Sequence, residues 1–140
     1  MKIRDFAEVD LKIPMLPDME IAATKTAEAM AEYLSFDQDK TDEIKLALIE
    51  ATLNAFEHSN SDERFVQIKF EADNDELTIK IHDRGKGFDE KKVENPDIKK
   101  KIKSDYKRGW GMSLMEQLMD SVEVSNDEYG CTIILKKRRG

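Results

Sequence analysis

The hydropathy pattern of this 140-residue chain predicts an α+β fold: a two-layer sandwich in which helices cover one face of a mixed, mostly antiparallel sheet. Two observations carry that reading. The apolar period switches between two and about 3.6 in the order strand, helix, helix, strand, strand, loop, helix, strand, strand, which is not the alternating strand–helix rhythm of a parallel sheet. Four of the five strands also come as two hairpins, each closed by a short polar turn. With 39% hydrophobic and 38% charged residues, the chain can bury a modest core under a heavily charged surface, and its length suits one domain over residues 1–140.

Val9, Leu11 and Ile13 alternate with Asp10 and Lys12, giving a half-buried strand that ends at Pro14. Met19, Ala23, Ala27, Met30 and Leu34 then recur at helical spacing, predicting a helix over about 18–35, followed by a polar connector over 37–41. A second helix is predicted over about 42–58 with apolar residues on two faces, Ile44, Leu48, Ala51 and Ala55 on one and Leu46, Ile49, Leu53 and Phe56 on the other. The two faces imply packing on both flanks. Between them runs a polar stripe of Glu43, Glu50, Asn54 and Glu57, with His58 at its margin.

Val66, Ile68 and Phe70, then Leu77, Ile79 and Ile81, form a hairpin turned at 73–75, and the second strand runs into Asp83-Arg84-Gly85-Lys86-Gly87-Phe88. Residues 89–107 are dominated by charge and read as a mobile loop. Arg108-Gly109-Trp110-Gly111 leads into a third helix rich in Leu and Met. Val122 and Val124 open a last hairpin, turned at 126–130, in which Cys131, Ile133 and Leu135 alternate imperfectly with Thr132 and Ile134.

Net charge is −7 and the isoelectric point is near 5.0, so no general basic field exists to attract a nucleic-acid backbone, and the basic run 136–139 is too short to change that. A single cysteine excludes an internal disulfide framework and any Cys-rich zinc site. The charged first 13 residues offer no signal-peptide stretch, and no run of about 18 apolar residues could span a membrane. The expected compartment is the cytoplasm.

Three segments could carry chemistry. Glu50 and Asn54 stand one helical turn apart, so their side chains project one above the other. A carboxylate beside a carboxamide suits a general base next to an oxygen ligand for a hard cation such as Mg²⁺; a solvated stripe with a side-chain hydrogen bond fits the same residues. Asp83 could accept from an exocyclic amine while Gly85 and Gly87 let the main chain approach a flat ring or a phosphate, although a plain turn explains them equally well. Gly109-Trp110-Gly111 precedes a helix whose free N–H groups favour an anion, or forms a capping turn; it fits neither the Walker pattern nor the dinucleotide fingerprint.

Taken in order, Glu-x-x-x-Asn-Ala-x-x-His over 50–58, Asp-x-Gly-x-Gly-Phe over 83–88, a charged loop, Arg-Gly-x-Gly-Met over 108–112 and Gly-x-Thr over 130–132 resemble the motifs of the GHKL ATPases. The resemblance covers nearly the whole chain. Its small size, two N-terminal helices, short lid and the stretch Gly111–Asp120 are similar to the anti-sigma factor serine-protein kinases of bacterial partner-switching systems. The gyrase, mismatch-repair and chaperone branches carry a second domain for which this length leaves no room, as it leaves none for the phospho-accepting helices of a sensor histidine kinase.

The resemblance implies the Bergerat-type ATP-binding fold, ATP and Mg²⁺ as cofactors, and roles residue by residue. Glu50 would be the general base on the attacking hydroxyl and Asn54 the ligand of Mg²⁺ on the ATP phosphates. Asp83 would hold the adenine amino group, Gly85 and Gly87 would let the chain pass close to base and ribose, and Thr132 would support the adenine end through water. Gly109, Gly111 and Met112 would offer N–H groups to the phosphates, with charge from Arg108, and residues 89–107 would be the lid. His58 matches a family position and reads as structural, and His82 reads as no ligand. The implied partners are a small antagonist protein phosphorylated on serine or threonine, a sigma factor or other sequestered regulator, and a second copy of the chain. Two other readings stay open: a nucleotide-gated binding switch with little phosphoryl transfer, and a free-standing histidine-kinase-like ATPase domain.

Overall fold

Strands Phe6–Pro14 (β1), Phe65–Asp73 (β2), Glu76–Asp83 (β3), Ser121–Asp127 (β4) and Gly130–Arg138 (β5) form one sheet in the order β1-β2-β3-β5-β4. All four pairings are antiparallel. The computed structural model describes residues 6–58, 64–83, 110–127 and 130–140, and among them three helices accompany the sheet: Glu20–Tyr33 (α1), Gln38–His58 (α2) and Trp110–Leu118 (α3). The charged segment 89–107 and the turn 59–62 lie outside the described residues.

Alternation decides which sheet face is covered. Val66, Ile68, Phe70 and Ala72 of β2, Leu77, Ile79 and Ile81 of β3, and Ile133 and Leu135 of β5 are buried, while the residues between them are at least partly exposed. The register aligns these positions in rows such as Phe70–Ile79–Leu135, so side chains of one sign of hydropathy share a face. Burying Phe70 alone is worth about 1.5–3 kcal/mol relative to leaving it exposed. The opposite face is polar, with ion pairs between Lys69 and Glu8 (3.5 Å) and between Lys80 and Glu71 (2.9 Å).

α2 lies over β2, β3 and β5 and packs against α1 on one flank and α3 on the other. Small side chains permit the close approach: Ala23, Ala27 and Ala31 of α1 and Ala47 and Ala51 of α2 are fully buried. β1 keeps Pro14 in its ladder because it is an edge strand, where a missing N–H is tolerated.

Three boundaries or faces differ from the sequence expectation. β1 starts earlier than Val9, at Phe6. α2 starts at Gln38 because Asp37 caps it: its Oδ1 accepts from the Lys40 backbone N–H at 2.8 Å, and the connector 38–41 becomes the first turn of the helix. The second apolar face of α2 is only half covered, since Ile49 and Phe56 are partly buried while Leu46 and Leu53 remain 43% and 39% exposed.

Candidate functional site

The polar stripe of α2 lies on its α3 side. Glu43, which heads the stripe, accepts a hydrogen bond at 2.9 Å from Lys137 of β5, and the same ammonium donates to the carbonyl oxygen of Leu118 at the end of α3. The other flank of α2 belongs to α1, where Lys45 pairs with Glu28 at 3.3 Å. Glu50 and Asn54 continue the stripe about two and three turns beyond Glu43 and are both half-buried. With its last residue beside Glu43 and its length packed along α2, α3 directs its first turn, at Trp110, toward the end of α2 that carries these two side chains.

That arrangement puts a carboxylate and a carboxamide on the side of α2 against which α3 packs. The first N–H groups of α3 lack intrahelical partners and carry the positive end of the helix dipole, so an anion is favoured there. Gly111 and Met112 belong to this first turn, whereas Gly109 and Arg108 lie outside the described residues. The donor set suits Mg²⁺, which takes one or two protein oxygens and completes its octahedral shell with phosphate oxygens and water; Asn54 Oδ1 is such a donor.

Asp83 ends β3 in phase with Leu77, Ile79 and Ile81, so its carboxylate points into the helix-covered layer and the residue is only 7% exposed. A buried carboxylate is costly without hydrogen-bond donors around it, and Asp83 has partners in the structure. It stands in a row with Val66 on one side and Cys131 on the other. Gly85 and Gly87 follow it outside the described residues.

Thr132 is not brought to Asp83. One residue beyond Cys131, it faces the open side of the sheet, where its Oγ1 lies 2.8 Å from His82 Nδ1 in a directly paired position. Cys131 is the β5 residue that shares Asp83's row and face. The sequence held the signal for this: Cys131, Ile133 and Leu135 form the inward set of β5, and Thr132 is out of phase with it. His82, read as no ligand, is engaged with Thr132 on that open face.

A family model described as the histidine kinase-like ATPase domain matches residues 13–137. A serine-protein kinase RsbW of Oceanobacillus iheyensis is 29% identical over 135 residues, covering 92% of this chain and 85% of the relative. An RsbW of Bacillus cereus is 29% identical over 137 residues, with 94% and 85% covered. Among solved structures, the RsbU and RsbW domains of Rv1364c from Mycobacterium tuberculosis match with a TM-score of 0.70 at 14% identity, over 94% of this chain and 32% of the other. The histidine kinase domain of the blue-light activated kinase EL346 from Erythrobacter litoralis matches with a TM-score of 0.55 at 16% identity, over 90% and 61%. These two likenesses show the fold. Among the described residues, no helix is long and apolar enough to cross a membrane.

Proposed function

The chain belongs to the histidine kinase-like ATPase domain family, and on that premise we propose that it is an ATP-dependent protein serine/threonine kinase. Its substrate is a small antagonist protein, and it sequesters a regulator such as a sigma factor, working as a homodimer in the cytoplasm. The observation that carries the kinase reading is Glu50, a half-buried carboxylate one turn from Asn54 on the α2 flank that meets α3. A switch driven only by nucleotide occupancy needs a metal ligand and a phosphate cradle and has no use for a base there. The near full-length similarity to serine-protein kinases supports the choice of acceptor.

In this reading Asp83 accepts from the adenine amino group, and Gly85 and Gly87 let the chain pass close to base and ribose. Gly111 and Met112, in the first turn of α3, offer N–H groups to the phosphate oxygens, and Gly109 and Arg108 before it are assigned the same role. Asn54 would hold Mg²⁺, and the ion would supply neutralisation of phosphate charge. The acceptor hydroxyl oxygen bonds to the γ-phosphorus as the bond from that phosphorus to the β–γ bridging oxygen breaks. ADP leaves with the electron pair, and the hydroxyl proton passes to the Glu50 carboxylate. Positioning and charge stabilisation dominate such transfers, so a sparse set of side chains suffices.

The test separates binding from transfer. Glu50→Ala is expected to keep ATP affinity and to lose about 10²–10⁴-fold in phosphoryl transfer, the usual contribution of a general base. ATP-dependent capture of a partner without phosphoryl transfer by the wild type would identify the binding switch instead.

A further inference from the structure

Lys137 and Asp83 are the two charged residues buried among those described, and no motif singles out the lysine. Lys137 sits on β5 opposite Leu77, in phase with Ile133 and Leu135, so a cation occupies the helix-covered face where the strand pattern calls for an apolar side chain. It is only 6% exposed. A buried ammonium is tolerated when its N–H groups are paired, and here Nζ donates to Glu43 Oε2 and to the Leu118 carbonyl oxygen. The last carbonyls of a helix lack intrahelical partners and carry the negative end of the dipole, so the cation also caps α3. Two more bonds fasten the same end: the Asp120 N–H donates to the Lys136 carbonyl at 2.9 Å, and the Arg138 N–H donates to Asp120 Oδ2 at 2.7 Å.

We propose that Lys137 is a positioning residue for the phosphate half of the site. It ties the C-terminal end of α3 to Glu43 of α2 and thereby fixes how closely the first turn of α3 faces Glu50 and Asn54. The inference rests on the reading above, in which the nucleotide phosphates lie between those two elements. Lys137 touches neither nucleotide nor acceptor. The adenine end is anchored on Asp83, a residue of the sheet and not of α3. Loss of the clamp is therefore felt most at the γ-phosphate, which lies farthest from the anchor on Asp83 and nearest the groups that Glu50 acts on, and least at the base.

Lys137→Met keeps the stem of the side chain and removes the ammonium together with its need for partners, while Glu43→Ala removes the half-exposed carboxylate and leaves the ammonium the Leu118 carbonyl. Each is compared with the wild type by calorimetric titration with ATP and, separately, ADP in Mg²⁺, at a temperature where circular dichroism shows a folded chain. The expected result is an ATP affinity lowered about tenfold or more, the scale on which supporting contacts around a site act, with ADP affinity changed less than about threefold. Lys137→Arg, which restores a cation with several donors, is expected to recover part of the ATP loss. Equal loss factors for ATP and ADP, or no loss for either, would overturn the clamp, since a purely structural lysine weakens both alike. A wild type that binds neither nucleotide would overturn the reading of the site, and this inference with it.

Discussion

Asp83 and Cys131 face each other across β3 and β5 as a directly paired row on the helix-covered side of the sheet. The neighbouring pair, His82 and Thr132, faces the other way and is joined by a 2.8 Å contact. A strand reverses the side of its residues at every step, so only one of Cys131 and Thr132 can share a sheet face with Asp83. If adenine sits against Asp83, Asp83→Asn lowers ATP affinity by about 10- to 100-fold, the value of a hydrogen bond to a charged group. Thr132→Val leaves it within about twofold. Calorimetric ATP titration of both variants checks this, and a large loss in Thr132→Val would place the nucleotide elsewhere.

Thr52 lies inside α2, fully buried, and its hydroxyl oxygen has no hydrogen-bond partner among the described residues. A buried unsatisfied hydroxyl costs about 1–3 kcal/mol, whereas a methyl of the same shape costs nothing in desolvation. Thr52→Val is expected to raise stability by about 1 kcal/mol, read as a higher urea midpoint with an unchanged slope. A lowered midpoint would show that the hydroxyl is satisfied.

Ser35 ends α1 in the left-handed region at φ 60°. The Phe36 N–H donates to the Ala31 carbonyl at 2.9 Å and the Ser35 N–H to the Glu32 carbonyl at 3.0 Å, the paired bonds of a Schellman motif. Glycine is the residue without a Cβ penalty at that position, so Ser35→Gly is expected to stabilise the chain by about 1 kcal/mol. Thermal unfolding of the two proteins decides it, and a fall in Tm would contradict the geometry.

The fold was legible where hydropathy alternated cleanly, because burial on one face of a strand imposes a period that few other structures share. Val66 to Phe70 and Leu77 to Ile81 announced the central hairpin, and Ala23, Ala27 and Met30 announced α1. The start of α2 was not, since the Asp37 cap hides in a run of polar residues that also reads as a connector. Leu46 and Leu53 misled for a different reason: an apolar residue on a helix says that burial is favourable, and does not say that a partner is present to bury it. Glu50, Asn54 and Asp83 emerged through motif order, whereas Lys137 could not, because a lysine in a basic C-terminal run gives no sign that its ammonium reaches under two helices.

In the proposed reading this chain moves the γ-phosphate of ATP to a hydroxyl with Glu50 as the base. The most direct measurement incubates wild type and Glu50→Ala with γ-labelled Mg·ATP and an extract of the source cells, then tests the labelled protein for acid stability. A small protein carrying acid-stable phosphoserine or phosphothreonine with the wild type, and label lost by about 10²-fold or more with Glu50→Ala, is the predicted result. Equal labelling by both proteins, or label that acid removes as it does phosphohistidine, would contradict it.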